Sequence, residues 1–499
     1  MTECVIGIDS STQSTKAIAW DRWGHLLAEG RAPVPMTSPA PDFYEQEPQD
    51  WWQSAVTAIR HLGKETDLSS ARGLAIANQR ETVGFLDATG RSIRPAMVWL
   101  DGRAHEEAKA FSAAFGEQDF LALTGKHSDL TPGVYKLAWM RRHEPDVLDR
   151  CAQIVDVHGF LVQKLTSNHA TSWTSADPSG LFDITAKQWS GPVLAHLGIR
   201  LDCLAQVHRP GTVLGHVSAA AAAITGLPAG LPVIAAGGDG QCAGLGVNAM
   251  LAGTSYLNLG TAVITGAWSQ TPRVGKHWRT MVSSTGEGYF LEGVMRAGTF
   301  FVDWFVRSFV DQQAGSATFD RLGEAAMALP LGSEGVMASP YLSGCMNPHW
   351  EGRAKAAFMG LGPSHGQAHL YRAVLEAMTG EIARTIVAMR HEGVAIDRIV
   401  AVGGGANSLL WRRMLADATG LPLTVSASVE ATSLGAAVAA AVAGGWYPTF
   451  PDAAAGMCRA TLAEAPDPGQ RAGWDALMAR QDRLNRFVCS EAALGDQVV

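Results

Sequence analysis

The sequence has little cysteine and none of it paired by spacing. Seven residues in 499, namely Cys4, Cys151, Cys203, Cys242, Cys345, Cys458 and Cys489, include no C-x-x-C. That argues against a zinc knot or a disulfide framework and points to a reducing cytoplasm. An excess of positive charge is also missing, since 39 Lys and Arg face 47 Asp and Glu for a net charge of −8. Nucleic acid and anionic membrane are therefore not expected as partners, and a small molecule is. The uncharged stretch Val217 to Gly238 is broken by Pro228, Pro232 and several glycines, which argues against a membrane helix. The opening "MTECVIGIDSS" enters strand-like sequence without the basic segment and apolar run of a signal peptide. The 15 histidines point to no catalytic zinc.

What is present is a globular pattern, 47% hydrophobic and 17% charged, on a chain long enough for two large domains. "CVIGID", "TKAIAWD" and "HLLAEGRAPV" read as an antiparallel meander with polar turns. "PQDWWQSAVTAIRHLG" and "GRAHEEAKAFSAAFG" carry apolar residues at helical spacing and end on Gly. "RGLAIANQR" and "VGFLDATGRSIRPAMVW" return to strand and hairpin, and "SAAAAAITG" reads as a short helix. "SYLNLGTAVITGAW" repeats the opening plan about 250 residues on, and "RIVAVGGGANSLLWRRMLADATG" reads as a buried strand running through three glycines into a helix. Two hairpins bent through small hydroxyl residues, one from each half, suit a shared cleft whose turn N–H groups and hydroxyls meet phosphate oxygens.

"GGDGQCAGLG", Gly237 to Gly246, follows the apolar "LPVIAAGG" and isolates one carboxylate, Asp239, among five glycines. Read alone, Asp239 is a helix cap. No Lys or Arg stands beside it in this segment, which predicts a carboxylate free of a tight local ion pair.

"GIDSSTQSTKAIAWD", "WLDGR", "GGDGQCAGLG", "LNLGTA", "PYLSGCMNPHW" with "AFMGLG", and "GGGANSLLWRRMLADATGLPL" followed by "EATSLGAAVAA" occur in one fixed order. In these segments the chain resembles the FGGY carbohydrate kinase family of the sugar kinase, heat-shock chaperone and actin superfamily over nearly its whole length. The resemblance implies an α/β fold with two ribonuclease-H-like, actin-like ATPase domains flanking a catalytic cleft. Residues 1–248 would bind the sugar and carry the catalytic base, and residues 249–499 would bind ATP. It implies Asp239 as the base that takes the acceptor proton and Asp9 as the residue for magnesium. Thr12, Gln13 and Lys16 would face the nucleotide phosphates, with Ser11 standing where relatives often have Gly. Gly260 and Thr261 would form the second phosphate hairpin, and Gly404, Gly405, Asn407 and Ser408 the adenosine turn. A homodimer is the candidate assembly.

For the acceptor, Arg80 and Glu81 in "NQRETVGFLD" offer an adjacent donor and acceptor for vicinal hydroxyls. Trp99 is the expected sugar-stacking ring, with Trp51, Trp52, Trp304 and Trp411 expected in cores. The "QRE" segment resembles glycerol kinase. "WLDGR" and "SGCMNPHW" are similar to xylulose kinase, although its usual Met-His pair is absent. Thr131 where glycerol kinases have tyrosine, and Gly240 after the base, predict a roomier pocket and a five-carbon acceptor, D-xylulose first. The alternatives are a glycerol or other polyol kinase, an actin-like or chaperone-like ATPase, and an inactive sugar sensor.

Overall fold

The computed structural model of the protein describes residues 3–490. Its apolar strands build one ladder twice. In the first lobe β1 (Cys4–Ser10), β2 (Ser14–Trp20), β3 (Leu26–Pro33), β4 (Ala71–Asn78), β5 (Val213–His216) and β6 (Pro232–Gly238) form a six-stranded sheet in the order β5-β6-β4-β1-β2-β3. The β1-β2-β3 meander is antiparallel, β4 and β6 add parallel to β1, and β5 closes antiparallel. The second lobe uses β7 (Gly253–Leu259), β8 (Val263–Ser269), β9 (Arg279–Val282), β10 (Tyr289–Met295), β11 (Ile396–Val402), β12 (Leu423–Ser426) and β13 (Ala460–Glu464) in the order β9-β10-β8-β7-β11-β12-β13. Here again a meander, two parallel strands and an antiparallel edge follow one another. The echo between the two hairpins thus reflects a repeated architecture.

Helices cover both faces of these sheets, as parallel strands require. α1 (Pro48–Glu65) has Pro in its first turn and buries Trp51, Trp52, Ala55, Ile59 and Leu62, three or four residues apart, against the first sheet. α2 (Asp239–Gly246) starts directly from β6. In the second lobe α3 (Thr299–Phe309), α4 (Gln367–His391) and α5 (Leu409–Thr419) pack on the seven-stranded sheet. The three glycines of "GGGANS" do not lead straight into α5. A short 3₁₀ turn at Gly404–Asn407 intervenes, and Ser408 then caps α5 by accepting from the Trp411 N–H at 3.3 Å.

α6 (Ala431–Ala443) returns from the second lobe to lie against β1 and α2, in a core that mixes residues of both halves, from Val5, Ile18 and Ala75 to Tyr256, Phe290 and Leu434. The glycines of the "GGDGQCAGLG" segment take part in this packing. A Cβ on Gly246 would stand 1.9 Å from the Ala431 carbonyl oxygen, and one on Gly435 would stand 1.8 Å from that of Cys242. So two helices meet backbone to backbone beneath the cleft, and only glycine permits that approach.

Candidate active site

Asp239 is the first residue of α2, with Gly238 in the cap position, and its Oδ1 accepts the Gly240 N–H at 2.7 Å. It is not free of a cation. Arg80, delivered from the end of β4 by the "NQRE" turn, places Nε 3.0 Å from Asp239 Oδ1. The expectation of an unpaired carboxylate fails because the partner is 159 positions earlier in the chain, brought alongside by the parallel pairing of β4 with β6. Arg80 also donates through Nη1 to Glu292 at 2.9 Å and to Gln241 at 3.2 Å. Glu81 sits at φ 61°, a left-handed conformation rare for a side-chain-bearing residue, and receives Arg279 Nη1 at 2.6 Å. Arg279 in turn donates through Nε to Glu292 at 2.9 Å. The donor and acceptor expected to grip sugar hydroxyls are thus already engaged in a buried chain, Asp239–Arg80–Glu292–Arg279–Glu81, and Asp239 is its end that opens to the cleft, with 37% of its side chain exposed.

Electrostatics follow from this chain. Burial alone drives Glu292 up, but the two guanidiniums overcome it and hold the carboxyl at about 2. Desolvation pushes Asp239 above the usual carboxylate range against the pull of Arg80. Because the folded value of Glu292 lies below its ordinary 4.5, its stabilising contribution is complete above that pH and is lost as pH falls through about 2. The stability difference between wild type and Glu292→Gln is therefore expected to be larger at neutrality than at about pH 3.5, read from urea midpoints. Equal differences at both would mean that the carboxylate is not held ionised by its arginines.

The second lobe supplies Arg279 and Glu292, which the sequence reading did not identify. Their one local signal is a charge inside otherwise apolar strands, "RTMV" and "YFLEGVM", where charges are rare unless paired. A second buried cross-lobe contact lies nearby. Lys126 Nζ binds Asp177 Oδ1 at 2.6 Å and the Thr280 carbonyl at 2.8 Å, while Asp177 Oδ2 accepts the Val282 N–H at 2.8 Å.

In the same sheet of the first lobe the first hairpin closes through Ser11, whose N–H and Oγ both donate to the Ser14 carbonyl, at 3.0 and 2.8 Å. Thr12 Oγ1 accepts from Trp99 Nε1 at 2.8 Å, so the Trp99 ring edge braces the hairpin. Gln13 is exposed at the turn. Lys16 does not project freely toward phosphates, since its Nζ lies 2.5 Å from Glu430 at the start of α6. Asp9, the penultimate residue of β1, has its Oδ1 buried and without a hydrogen-bond partner. Its carboxyl is pushed up to about 7, first by burial and then by the charge of Asp239.

Thr261, Gly404, Gly405, Asn407 and Ser408 come together on one cavity of about 870 Å³, walled also by Phe300, Tyr371, Met327 and Trp411. That volume suits a nucleoside-sized ligand, and space around Gly404 is open, with nothing within 4 Å of a Cβ built there. Gly260 and Thr261 anchor α3 by accepting the Thr299 N–H at 2.9 Å and the Gly298 N–H at 2.7 Å.

Two expectations about the acceptor side need correction. Gly240 does not enlarge a pocket: a Cβ there would stand 2.8 Å from Glu292 Oε2 and 3.0 Å from Arg80 Nη2, so glycine is needed to let the charged chain pass. Thr131 is buried and donates to Asp129 Oδ2. Trp51 and Trp411 are buried in cores, with Trp52 and Trp304 packed alongside them. The sequence does contain one histidine pair four residues apart, His365 and His369, but each Nδ1 accepts a backbone N–H, from Gly362 and Gly366. Among the described residues no group of three or more His, Cys, Asp or Glu is arranged to hold a metal ion, and no helix is long and apolar enough to cross a membrane.

The chain as a whole has known relatives. The model of the FGGY family of carbohydrate kinases, N-terminal domain, matches residues 4–246, and that of the C-terminal domain matches residues 255–444. A xylulose kinase of Escherichia coli is 30% identical over 424 residues, covering 84% of this chain and 85% of the relative. An autoinducer-2 kinase of Klebsiella pneumoniae is 28% identical, covering 95% of this chain and 92% of the relative. The crystal structure of xylulose kinase from Rhodospirillum rubrum superposes with a TM-score of 0.91 at 28% identity, covering 97% of this chain and 99% of that one. With both halves matched in order, the chain belongs to the FGGY family of carbohydrate kinases.

Proposed function

We propose that this kinase transfers the γ-phosphoryl group of ATP to a hydroxyl of a five-carbon ketose, D-xylulose first, with Asp239 as the general base. The observation that carries the reading is the Asp239 carboxylate, exposed to the cleft and fixed by Arg80 Nε at 3.0 Å. The acceptor oxygen attacks the γ-phosphorus, the bond to the β-phosphate oxygen breaks with its electron pair leaving on ADP, and the acceptor proton passes to Asp239. Little covalent chemistry is asked of the protein, so orientation and charge do most of the acceleration. Arg80 supplies the orientation, and Glu292 and Arg279 hold Arg80. The halves 1–248 and 249–499 serve as acceptor and nucleotide lobes, with β9 and β10 of the second buttressing the first.

The orphaned, buried Oδ1 of Asp9 fits a cation. Asp9 would hold the magnesium that neutralises phosphate charge when bound. Thr12, Gln13, Gly260 and Thr261 would turn toward the phosphates, and the cavity at Gly404, Gly405, Asn407 and Ser408 would take the adenosine. Lys16 joins them only by releasing Glu430.

Support for a pentulose comes from the relatives named as xylulose kinases, since neither Gly240, closed in by Glu292 and Arg80, nor Thr131, engaged with Asp129, argues for room. A panel of pentuloses, pentitols, tetritols and glycerol, assayed with ATP, tests it. D-Xylulose is expected to give the highest kcat/KM, exceeding glycerol by about tenfold or more, because a loosely held triol seldom lies in line with the γ-phosphate. Glycerol exceeding every five-carbon acceptor would overturn the choice.

A further inference from the structure

We infer that Arg296 is a catalytic residue that leaves Asp129 to bind the phosphoryl group in flight. The inference rests on the reading of Gly260 and Thr261 as a phosphate hairpin.

Arg296 directly follows β10, whose last residues pair with the start of β8: Val263 faces Met295 and Ile264 faces Val294. Two residues further, the Gly298 N–H binds the Thr261 carbonyl at 2.7 Å. Arg296 is thereby fixed at the height of the hairpin tip. Strand alternation puts Glu292 and Val294 on one face of β10, and Arg296 stands just past its end. Just as Glu292 reaches Arg80 of the first lobe, Arg296 reaches Asp129 of that lobe, with Nη2 2.6 Å from Oδ1. Arg296 thus leaves the chain beside the hairpin and carries its guanidinium to the first lobe.

Its bonding differs from that of its neighbours. Arg80 is held by Asp239 and Glu292, and Arg279 by Glu81 and Glu292, and both are buried. Exchanging those bonds for a ligand would strand buried carboxylates. Arg296 has one carboxylate partner and keeps 30% of its side chain exposed. Asp129 has a second support, the Thr131 hydroxyl, so it is not left bare when Arg296 departs. Phosphoryl transfer spreads negative charge over three equatorial oxygens, and a planar guanidinium meets two of them at once. The bonds made and broken are those already given: the acceptor oxygen joins phosphorus, ADP leaves with the electron pair, and the proton goes to Asp239. Arg296 contributes charge and two N–H donors and exchanges no proton.

Steady-state kinetics of Arg296→Ala and Arg296→Lys with ATP and the best acceptor of the panel test this. Expected are a kcat fall of about 10²–10³-fold in the alanine variant and an acceptor KM within about threefold of wild type. Partial recovery is expected in the lysine variant, as is at least about tenfold rescue of the alanine variant by millimolar guanidinium. A purely structural role would give no rescue and would overturn the inference. So would a kcat within about threefold of wild type in both variants, or a raised acceptor KM with kcat intact, which would move Arg296 to the sugar. A wild type that hydrolyses ATP but phosphorylates no acceptor would sink the kinase reading and this inference together. An active wild type with unaffected variants would sink this inference alone.

Discussion

Asp239→Asn is expected to yield a folded protein that binds ATP and turns over at least about a thousandfold more slowly, since general-base catalysis supplies ~10²–10⁴ and orientation of the acceptor is also harmed. The fold is expected to survive for a structural reason. Asp239 is the open end of the buried charged chain, and Arg80 retains Glu292 and Gln241 when the Asp239 charge is removed. The amide keeps an oxygen for the Gly240 N–H and for Arg80 Nε, so the start of α2 stays in place. What it cannot do is take a proton. ATP binding by calorimetry, with circular dichroism as the fold control, separates loss of chemistry from loss of structure. Turnover within about tenfold of wild type would remove Asp239 as the base.

Glu292→Ala should do the opposite and act first on stability. Glu292 is fully buried and accepts from both Arg80 and Arg279. Deleting it leaves two buried guanidiniums with only Asp239 and Glu81 as carboxylate partners, and breaking a buried ion pair from one side costs about 3–5 kcal/mol. The expected result is a Tm lowered on the order of 10 °C by scanning calorimetry, or failure to accumulate folded protein. Glu292→Gln, which keeps the shape and one acceptor oxygen, should lose less and remain soluble enough for kinetics. In that variant Arg80 is less firmly held, and kcat should fall more than the ATP affinity. A Glu292→Ala protein as stable as wild type would show that the two arginines are solvated rather than dependent on this carboxylate.

Much of the architecture was legible because it is written in local periodicity. The β1-β2-β3 meander, α1, the β7-β8 hairpin and the short helix Ala219–Thr225 all stand where apolar spacing and turn residues put them. Asp239 could be singled out because its glycine-rich surroundings are local too. Its electrostatic setting could not be read that way. Arg80 meets Glu292 across 212 positions and Glu81 meets Arg279 across 198, and each carboxylate has its meaning only once the second lobe is folded against the first. Gly240 and Gly246 admit neighbouring protein, the charged chain in one case and α6 in the other, as tightly as they could have admitted a ligand. Lys16 stands on the strand that its local pattern predicts, but its partner Glu430 lies 414 residues away at the start of α6. Thr261 and the "GGGANS" residues share one cavity, because "GTA" and "GGGANS" are turns whose form is set by their own residues.

The most direct measurement is the stoichiometry of products when wild-type protein, ATP, magnesium and D-xylulose are followed by phosphorus NMR, with Asp239→Asn in parallel. Phosphoryl transfer from ATP to a sugar hydroxyl through Asp239 predicts one new phosphate ester for each ADP formed, with little free phosphate and no ester in the variant. ADP and inorganic phosphate accumulating without an ester, from D-xylulose and from every other acceptor of the panel, would contradict it and make this cleft that of an ATPase.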